Sequence, residues 1–353
     1  MEMLHNQLST EPLVGSEPDP LVSVIIGNYN YGQFLRQSIE SVLNQSYRNF
    51  ELIVVDDGST DDSREIIKSY GDRLIPIFQE NAGQIAAHTA GLQHSKGEII
   101  CLLDSDDCFY PDKLLKIVQS FIKHPEWLQI SHTWVSVNTE GNPIGKSTSD
   151  ILSQGNVKKL LLSWGKYACG VTSALTFRRG VLLKALPLYR NMPGYSISKS
   201  AAFLGVDSFL TRTVPFFGEV GCINEPLMFY RIHHRNVRAR SDNIPKLMQE
   251  HINIADTINL AAAYSGLTEK FDVRRDPDYR AFEAIDRRAL PWIERLQIIC
   301  LSIQESISIG RSPRDTLTRL VYRSICVCFP QQGRQILRLG FRSYLLQLLR
   351  ESK

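Results

Sequence analysis

The sequence predicts an α/β protein built on a doubly wound, largely parallel sheet, with an α-helical region at its C-terminal end. Two observations predict it. Continuous apolar, β-branched runs (LVSVII, FELIVV, IICLL) alternate with stretches of helical spacing, and strand patterns give way to long helical ones after about residue 240. With 353 residues, 43% hydrophobic and 22% charged, the chain is long enough for one large or two ordinary domains. Its composition excludes a disordered or fibrous protein. A net charge of +3 is too small to point to nucleic acid, and no nucleic-acid partner is expected.

Residues 1–20, polar and proline-bearing without an apolar signal core, read as a flexible tail. Leu21 to Ile26 reads as a strand buried on both faces, because no polar alternation interrupts it. After GNYNYG, Phe34, Leu35, Ile39, Val42 and Leu43 recur at helical spacing. Phe50 to Val55 is a second buried strand, Thr60 to Tyr70 a helix, Leu74 to Phe78 a short strand, Gln84 to Gln93 a helix and Ile99 to Leu103 a further strand. Strands that alternate with helices form a parallel sheet through right-handed crossovers, which places ligands at the carboxyl ends of the strands. Residues 130–240 mix strand pieces and loops and read as an antiparallel extension, giving a domain over 21–240 and a helical region over 241–353. The seven cysteines, an odd number with no C-x-x-C, indicate a reducing compartment, so a cytoplasmic protein is expected.

Acidic residues gather at the strand ends. A helix start accounts for Asp61 and Asp62 in VVDDGSTDDS, since acids favour a helix N-terminus. It does not account for Asp56 and Asp57, two adjacent carboxylates directly after a buried strand, which repel unless donors or a cation meet them. The run Asp104-Ser105-Asp106-Asp107 repeats the pattern after IICLL with no basic residue before Lys113. Its natural neutraliser is a hard divalent cation with oxygen ligands, magnesium or manganese.

At this point the chain resembles the family 2 inverting glycosyltransferases of the GT-A fold, from about Leu21 to Asn236. The elements that carry the likeness are VSVIIGNYNYGQFLRQSIESVLNQSYRNFELIVVDDGSTDDS, NAGQIAAHTAGLQHSKGEIICLLDSDD, VDSFLTRTVPFFGEV and EPLMFYRIHHRN, in that order. The resemblance implies that Gly27, Asn28, Tyr29 and Asp57 hold the base and ribose of a nucleotide-sugar donor (UDP-, GDP- or dTDP-linked), with Asn81 and Gln84 close by. It implies a D-x-D pair in which Asp106 is the principal ligand of Mn2+ or Mg2+ and Asp104 serves both metal and nucleotide. Asp207 takes the place of the catalytic base, with Leu210 also matching and Val206 standing where the family carries an acid. Tyr230-Arg231-Ile232-His233 matches an element near the leaving diphosphate, which implicates Arg231 with phosphate and His233 with the metal shell. The segment WGKYACGVTS falls where acceptor loops belong, and its aromatics suit either sugar stacking or core packing.

The expected reaction is a single inverting displacement onto an acceptor hydroxyl of a glycan or lipid-linked substrate, in cell-surface polysaccharide or glycolipid assembly. Processive relatives carry Q-x-x-R-W, whereas this chain has only QQGRQ over 331–335, so one sugar per encounter is expected. A sugar nucleotidyltransferase would want a basic glycine-rich loop after the first strand, and GNYNYGQ has no Lys or Arg. A catalytically silent nucleotide-sugar-binding scaffold is the other alternative, with Val206 its support. Finally, residues 311–353 hold Arg311, Arg314, Arg319, Arg323, Arg334, Arg338, Arg342, Arg350 and Lys353 against Asp315 and Glu351. Apolar Leu317, Leu320, Val321, Ile325, Leu337, Phe341, Tyr344, Leu345 and Leu348 interleave at helical spacing. That pattern is a basic amphipathic helix pair broken at Pro330, suited to peripheral membrane contact or to packing on the domain or in a homodimer.

Overall fold

Side chains along β1 (Val22–Asn28) alternate between two cores, which is why its sequence is apolar throughout. In the computed structural model Val22, Val24 and Ile26 pack with α1 (Gly32–Leu43) and α4 (Lys113–Lys123) through Leu35, Ile39, Ile117 and Phe121. Ile25 enters the opposite core with Ile85 and Leu92 of α3 (Gln84–His94). Residues 19–146, 152–192, 204–233, 242–287, 290–341 and 343–344 are described. Most of the expected tail, together with His234, Asn236, Arg342, Leu345, Leu348, Arg350, Glu351 and Lys353, lies outside the described residues.

β2 (Phe50–Asp57), β3 (Ile75–Gln79) and β4 (Ile99–Asp104) join β1 in the parallel order β3-β2-β1-β4, with α2 (Ser63–Lys68) after β2. Beyond β4 the sheet continues through β8 (Leu175–Arg178), β6 (Trp127–Val137), β9 (Glu219–Arg231) and the two-residue β5 (Cys108–Phe109), with β7 (Pro143–Lys146) paired to β6. The extension is mixed: β8 runs antiparallel to β4 and β6, but β6 and β9 run parallel. α5 (Lys158–Trp164), α6 (Arg179–Ala185) and α7 (Val206–Thr213) lie between these strands.

From α8 (Ile244–Tyr264) onward the described residues are helical or loop. α8 starts with Asn243, whose Oδ1 accepts the Lys246 N–H at 3.1 Å, and Pro245 sits in its first turn. Its Ala255, Ile258, Ala261 and Ala262 share a core with Val157, Leu161, Tyr167, Phe216 and Val220, so the first C-terminal helix is packed on the sheet domain. α9 (Pro277–Arg287), α10 (Trp292–Ile309), α11 (Pro313–Cys328) and α12 (Pro330–Leu339) follow. The break between α11 and α12 falls at Pro330, where the missing N–H cannot continue a helix.

A buried ion cluster joins these helices to the sheet domain. Lys166, in the segment after α5, lies 2.9 Å from Asp276, 2.8 Å from Asp278 and 3.6 Å from Glu305. Arg323 of α11, fully buried, bonds Asp278 at 2.8 Å and Glu305 at 2.9 Å. Arg311 and Arg319 pair with Asp315, and Arg338 with Asp242. The basic stripe expected to face lipid or solvent is therefore partly committed to ion pairs within the chain: Arg311 and Arg319 share Asp315 four residues away, while Arg323 turns inward to Asp278 and Glu305 of other helices. Among the described residues no helix is long and apolar enough to cross a membrane.

Candidate functional site

The parallel strands end together on one crevice. Asn28, Asp56 and Asp57, and Asp104 are the last residues of β1, β2 and β4, and register pairs Asn28 with Asp56 and Gly27 with Asp104. The loop after β1 is held by the loop after β2: the Asn30 N–H donates to Ser59 Oγ at 2.9 Å and Asn30 Oδ1 accepts the Thr60 N–H at 2.7 Å. Asn30 sits at φ +58°, a conformation Asn tolerates better than most residues. Asp61 Oδ2 accepts the Gly32 N–H at 2.9 Å, so this acid caps the start of α1 as well as the turn into α2, where its Oδ1 accepts from Ser63.

The two carboxylates of the first acidic pair are occupied differently. Asp56, fully buried, accepts from Arg64 Nε at 2.8 Å and from Asn28 Nδ2 at 3.2 Å, which settles its charge inside the protein. Asp57 accepts from Gln79 Nε2 at 2.6 Å, the Ala82 N–H at 2.9 Å and the Gly83 N–H at 2.8 Å. It thus shapes the NAGQ loop, and any nucleotide contact it makes comes on top of that work. Gly58 turns this corner at φ +79°, and a Cβ there would stand 2.7 Å from the Asn81 backbone nitrogen. Asn81 is half-buried beside this turn, and Tyr29, 46% exposed, projects from the neighbouring loop.

Gln84 bridges the two halves of the crevice. Its Nε2 donates to Asp104 Oδ1 at 3.2 Å and its Oε1 accepts from the Val206 N–H at 3.4 Å, at the start of α7. Asp207 follows in the first turn, with Oδ1 on the Ser208 N–H at 2.7 Å. Val206 is wholly buried in the apolar core with Phe209 and Leu210. An acid at that position would be driven into hydrocarbon, which explains why this chain carries Val there.

On the other side of the D-x-D run, His233 Nε2 lies 2.9 Å from Asp106 Oδ2, with the ring stacked on Phe34 at 5.1 Å between centroids. Arg231, expected at the phosphates, is buried and works from behind the run. Its Nε donates to the Asp106 carbonyl at 2.9 Å, NH1 to the Thr139 carbonyl and NH2 to Gln37 Oε1, both at 2.7 Å, over the face of Phe34. Asp107 is likewise structural, accepting the Arg231 N–H at 2.9 Å and the Ser173 hydroxyl at 2.6 Å. Trp164 and Tyr167 are buried, and Tyr167 Oη accepts from Gln129 Nε2 at 2.8 Å, so the segment's aromatics serve the core.

Residues 23–184 match the model for "Glycosyl transferase family 2". That stretch of the chain is similar to this family. An uncharacterised glycosyltransferase of Nostoc sp. is 33% identical over 221 residues, covering 61% of this chain and 66% of that protein. One from Haemophilus influenzae is 39% identical over 153 residues, 40% of this chain and 60% of its own length. The chain therefore spans less than two thirds of these relatives. Among solved structures, residues 1–349 of S. aureus TarS in complex with UDP-GlcNAc superpose with a TM-score of 0.50 at 15% identity, covering 90% of this chain and 92% of that one. The fold is GT-A, with a helical C-terminal region.

Within this domain the acidic run is electrostatically unsettled. Burial, then Asp106 and Asp207, push the Asp104 carboxyl up to about 8. Burial, then Asp106 and Asp104, raise Asp107 well above the usual range. Two residues that sequence reasoning passed over respond to this. Lys113, seen only as the first base after the run, folds back beneath it, fully buried, donating to the Ser173 carbonyl at 2.6 Å, with burial lowering it to about 7. His88 packs its Cε1 edge against Gly27, where an added Cβ would stand at 3.0 Å, and burial lowers its pKa. Its spacing four after Gln84 on α3 was the available signal, since i and i+4 share a helix face. Among the described residues no three His, Cys, Asp or Glu side chains converge to hold an ion by themselves. The pair Asp104 and Asp106 offers carboxylate oxygens of the kind a divalent cation could take as ligands.

Proposed function

We propose that this protein is a metal-dependent, inverting, non-processive glycosyltransferase that moves one sugar from a nucleoside-diphosphate sugar to a hydroxyl of a glycan or lipid-linked acceptor at the cytoplasmic side. The observation that carries the reading is the crevice where Asp104, raised to about 8 by burial, Asp106 and Asp207, is linked through Gln84 to the start of α7, which bears Asp207. Such a place asks for a cation and a polyanion on one side and a base on the other. The likeness to TarS, whose complex contains UDP-GlcNAc, supports a nucleotide-sugar donor.

Gly27, Asn28, Tyr29, Asn81 and the loop held by Asp57 would cradle the base and ribose. Asp106, oriented by His233, and Asp104 would hold Mn2+ or Mg2+, which when bound offsets charge on the departing diphosphate. Asp207 accepts the acceptor's hydroxyl proton as that oxygen bonds to the anomeric carbon, while the anomeric carbon's bond to phosphate oxygen breaks and the nucleoside diphosphate leaves. Val206 takes no part, since it faces the core. Arg231 keeps the Asp106 backbone in place. The test is hydrolysis and transfer from UDP-, GDP- and dTDP-sugars with Mn2+, Mg2+ or chelator. Turnover that depends on metal and yields the inverted anomer is expected, and silence with every donor favours the binding-scaffold alternative.

A further inference from the structure

α10 carries apolar residues on two opposite faces, and one of them faces solvent. Ile298, Ser302, Glu305 and Ile309 are buried toward α9 and α11. On the far side Trp292 (69% exposed), Ile293, Leu296, Ile303 and Ile307 (72% exposed) are open, together with Cys300. Ile293, Leu296, Cys300, Ile303 and Ile307 follow one another at spacings of 3, 4, 3 and 4 residues. That is the a/d spacing of a helix that packs along another helix. A surface helix with only its inward face to satisfy has no need of such a seam.

We infer that this seam is the dimer contact of the protein, α10 packing antiparallel on α10 of a second copy about a two-fold axis at Cys300. The sequence of the seam is self-complementary under that operation. Ile293 and Ile307 stand seven residues either side of Cys300, so each meets the other in the copy, and Leu296 meets the Ile303–Gln304 position. The small Cys300 at the axis lets the helices approach closely. Charge agrees: the flanking Gln297, Gln304 and Ser308 are neutral, and Arg295 donates to the Leu290 carbonyl at 2.8 Å, so no like charges meet. The same neutrality disfavours an anionic membrane, whose interfacial helices carry Lys and Arg beside the apolar face. The seam runs about 21 Å at 1.5 Å per residue. One helix pair of that length is smaller than a standard interface of about 1,600 Å2, so a dimer in exchange with monomer is expected.

Sedimentation velocity of the full chain over a concentration series, with copper-phenanthroline oxidation, tests it. The expected result is a concentration-dependent dimer and, on a non-reducing gel, a band at twice the monomer mass that reductant removes and Cys300→Ser abolishes. Leu296→Glu should shift the equilibrium toward monomer by at least tenfold, with an unchanged circular dichroism spectrum. A chain that stays monomeric with Cys300 unreactive to thiol reagents overturns the inference in favour of cover by its own C-terminal residues. A dimer unaffected by Leu296→Glu places the interface elsewhere, and binding to phosphatidylserine vesicles lost on Leu296→Glu, with no dimer, assigns the face to lipid. Because the wild-type cross-link needs no variant, a poorly folding Leu296→Glu leaves the inference open to refutation.

Discussion

At the scale of single residues, acids that look alike in the sequence divide by what they touch. Asp56, Asp61 and Asp107 spend their oxygens on Arg64, Gly32 and Ser173, and Asp104, Asp106 and Asp207 are the acids at the crevice. Asp207→Asn keeps the shape at the start of α7 but removes a proton acceptor. We expect turnover to fall about 10²-fold or more, with nucleotide affinity, measured by calorimetry, nearly unchanged; a collapse of affinity would make the residue structural. Asp106→Asn leaves His233 a partner yet offers a poorer ligand to a hard cation. Its activity should lose its dependence on Mn2+ concentration in the range where wild type saturates, and an unchanged metal titration would remove Asp106 from the ligand set.

Elements matter through the loops they tie down. The NAGQ loop has little hydrophobic anchorage, since Ala82, Gly83 and Gln84 are exposed, and it holds its shape through the Asp57 carboxylate. Asp57→Ala leaves two backbone N–H groups without that partner and frees Gln84 to drift from Asp104. The expected outcome is weaker binding of nucleoside diphosphate together with a loss of about 1–3 kcal/mol in unfolding free energy. Equal affinity in mutant and wild type would reject the link between loop and nucleotide. β9 works similarly, because Arg231 at its end fastens Asp106, Thr139 and Gln37 into one block.

Across the whole molecule the buried ion cluster decides how the helical region is attached. Lys166→Ala leaves Asp276, Asp278 and Glu305 short of a cation in a dry site, and a loss of about 3–5 kcal/mol is expected from denaturant unfolding. Burial alone would raise Asp276, but Lys166 and His251 overcome it and hold the carboxyl at about 2. A carboxyl lowered in the folded state contributes stability above its unfolded value near 3.9 and loses it as pH falls toward the folded value. Thermal melts should therefore show stability falling between about pH 4 and pH 2, and Lys166→Ala should flatten that fall. An equally steep fall in the mutant would place the acid-sensitive groups elsewhere.

The sequence by itself determined the parallel half of the fold, because strands buried on both faces, such as Ile99 to Leu103, must be apolar at every position while their helices repeat at 3.6 residues. It also located the crevice, since the acidic clusters follow those strands directly. Its limits are equally physical. Whether Arg231 meets a phosphate or four backbone and side-chain partners, whether Tyr167 stacks on a sugar or bonds Gln129, and which arginines of α11 face inward all depend on partners tens to hundreds of residues away. Local periodicity shows which face of a helix is apolar. Only the packed structure shows that α10 has a second such face left open, and that Val206 lies inward while Asp207, its neighbour, meets the crevice.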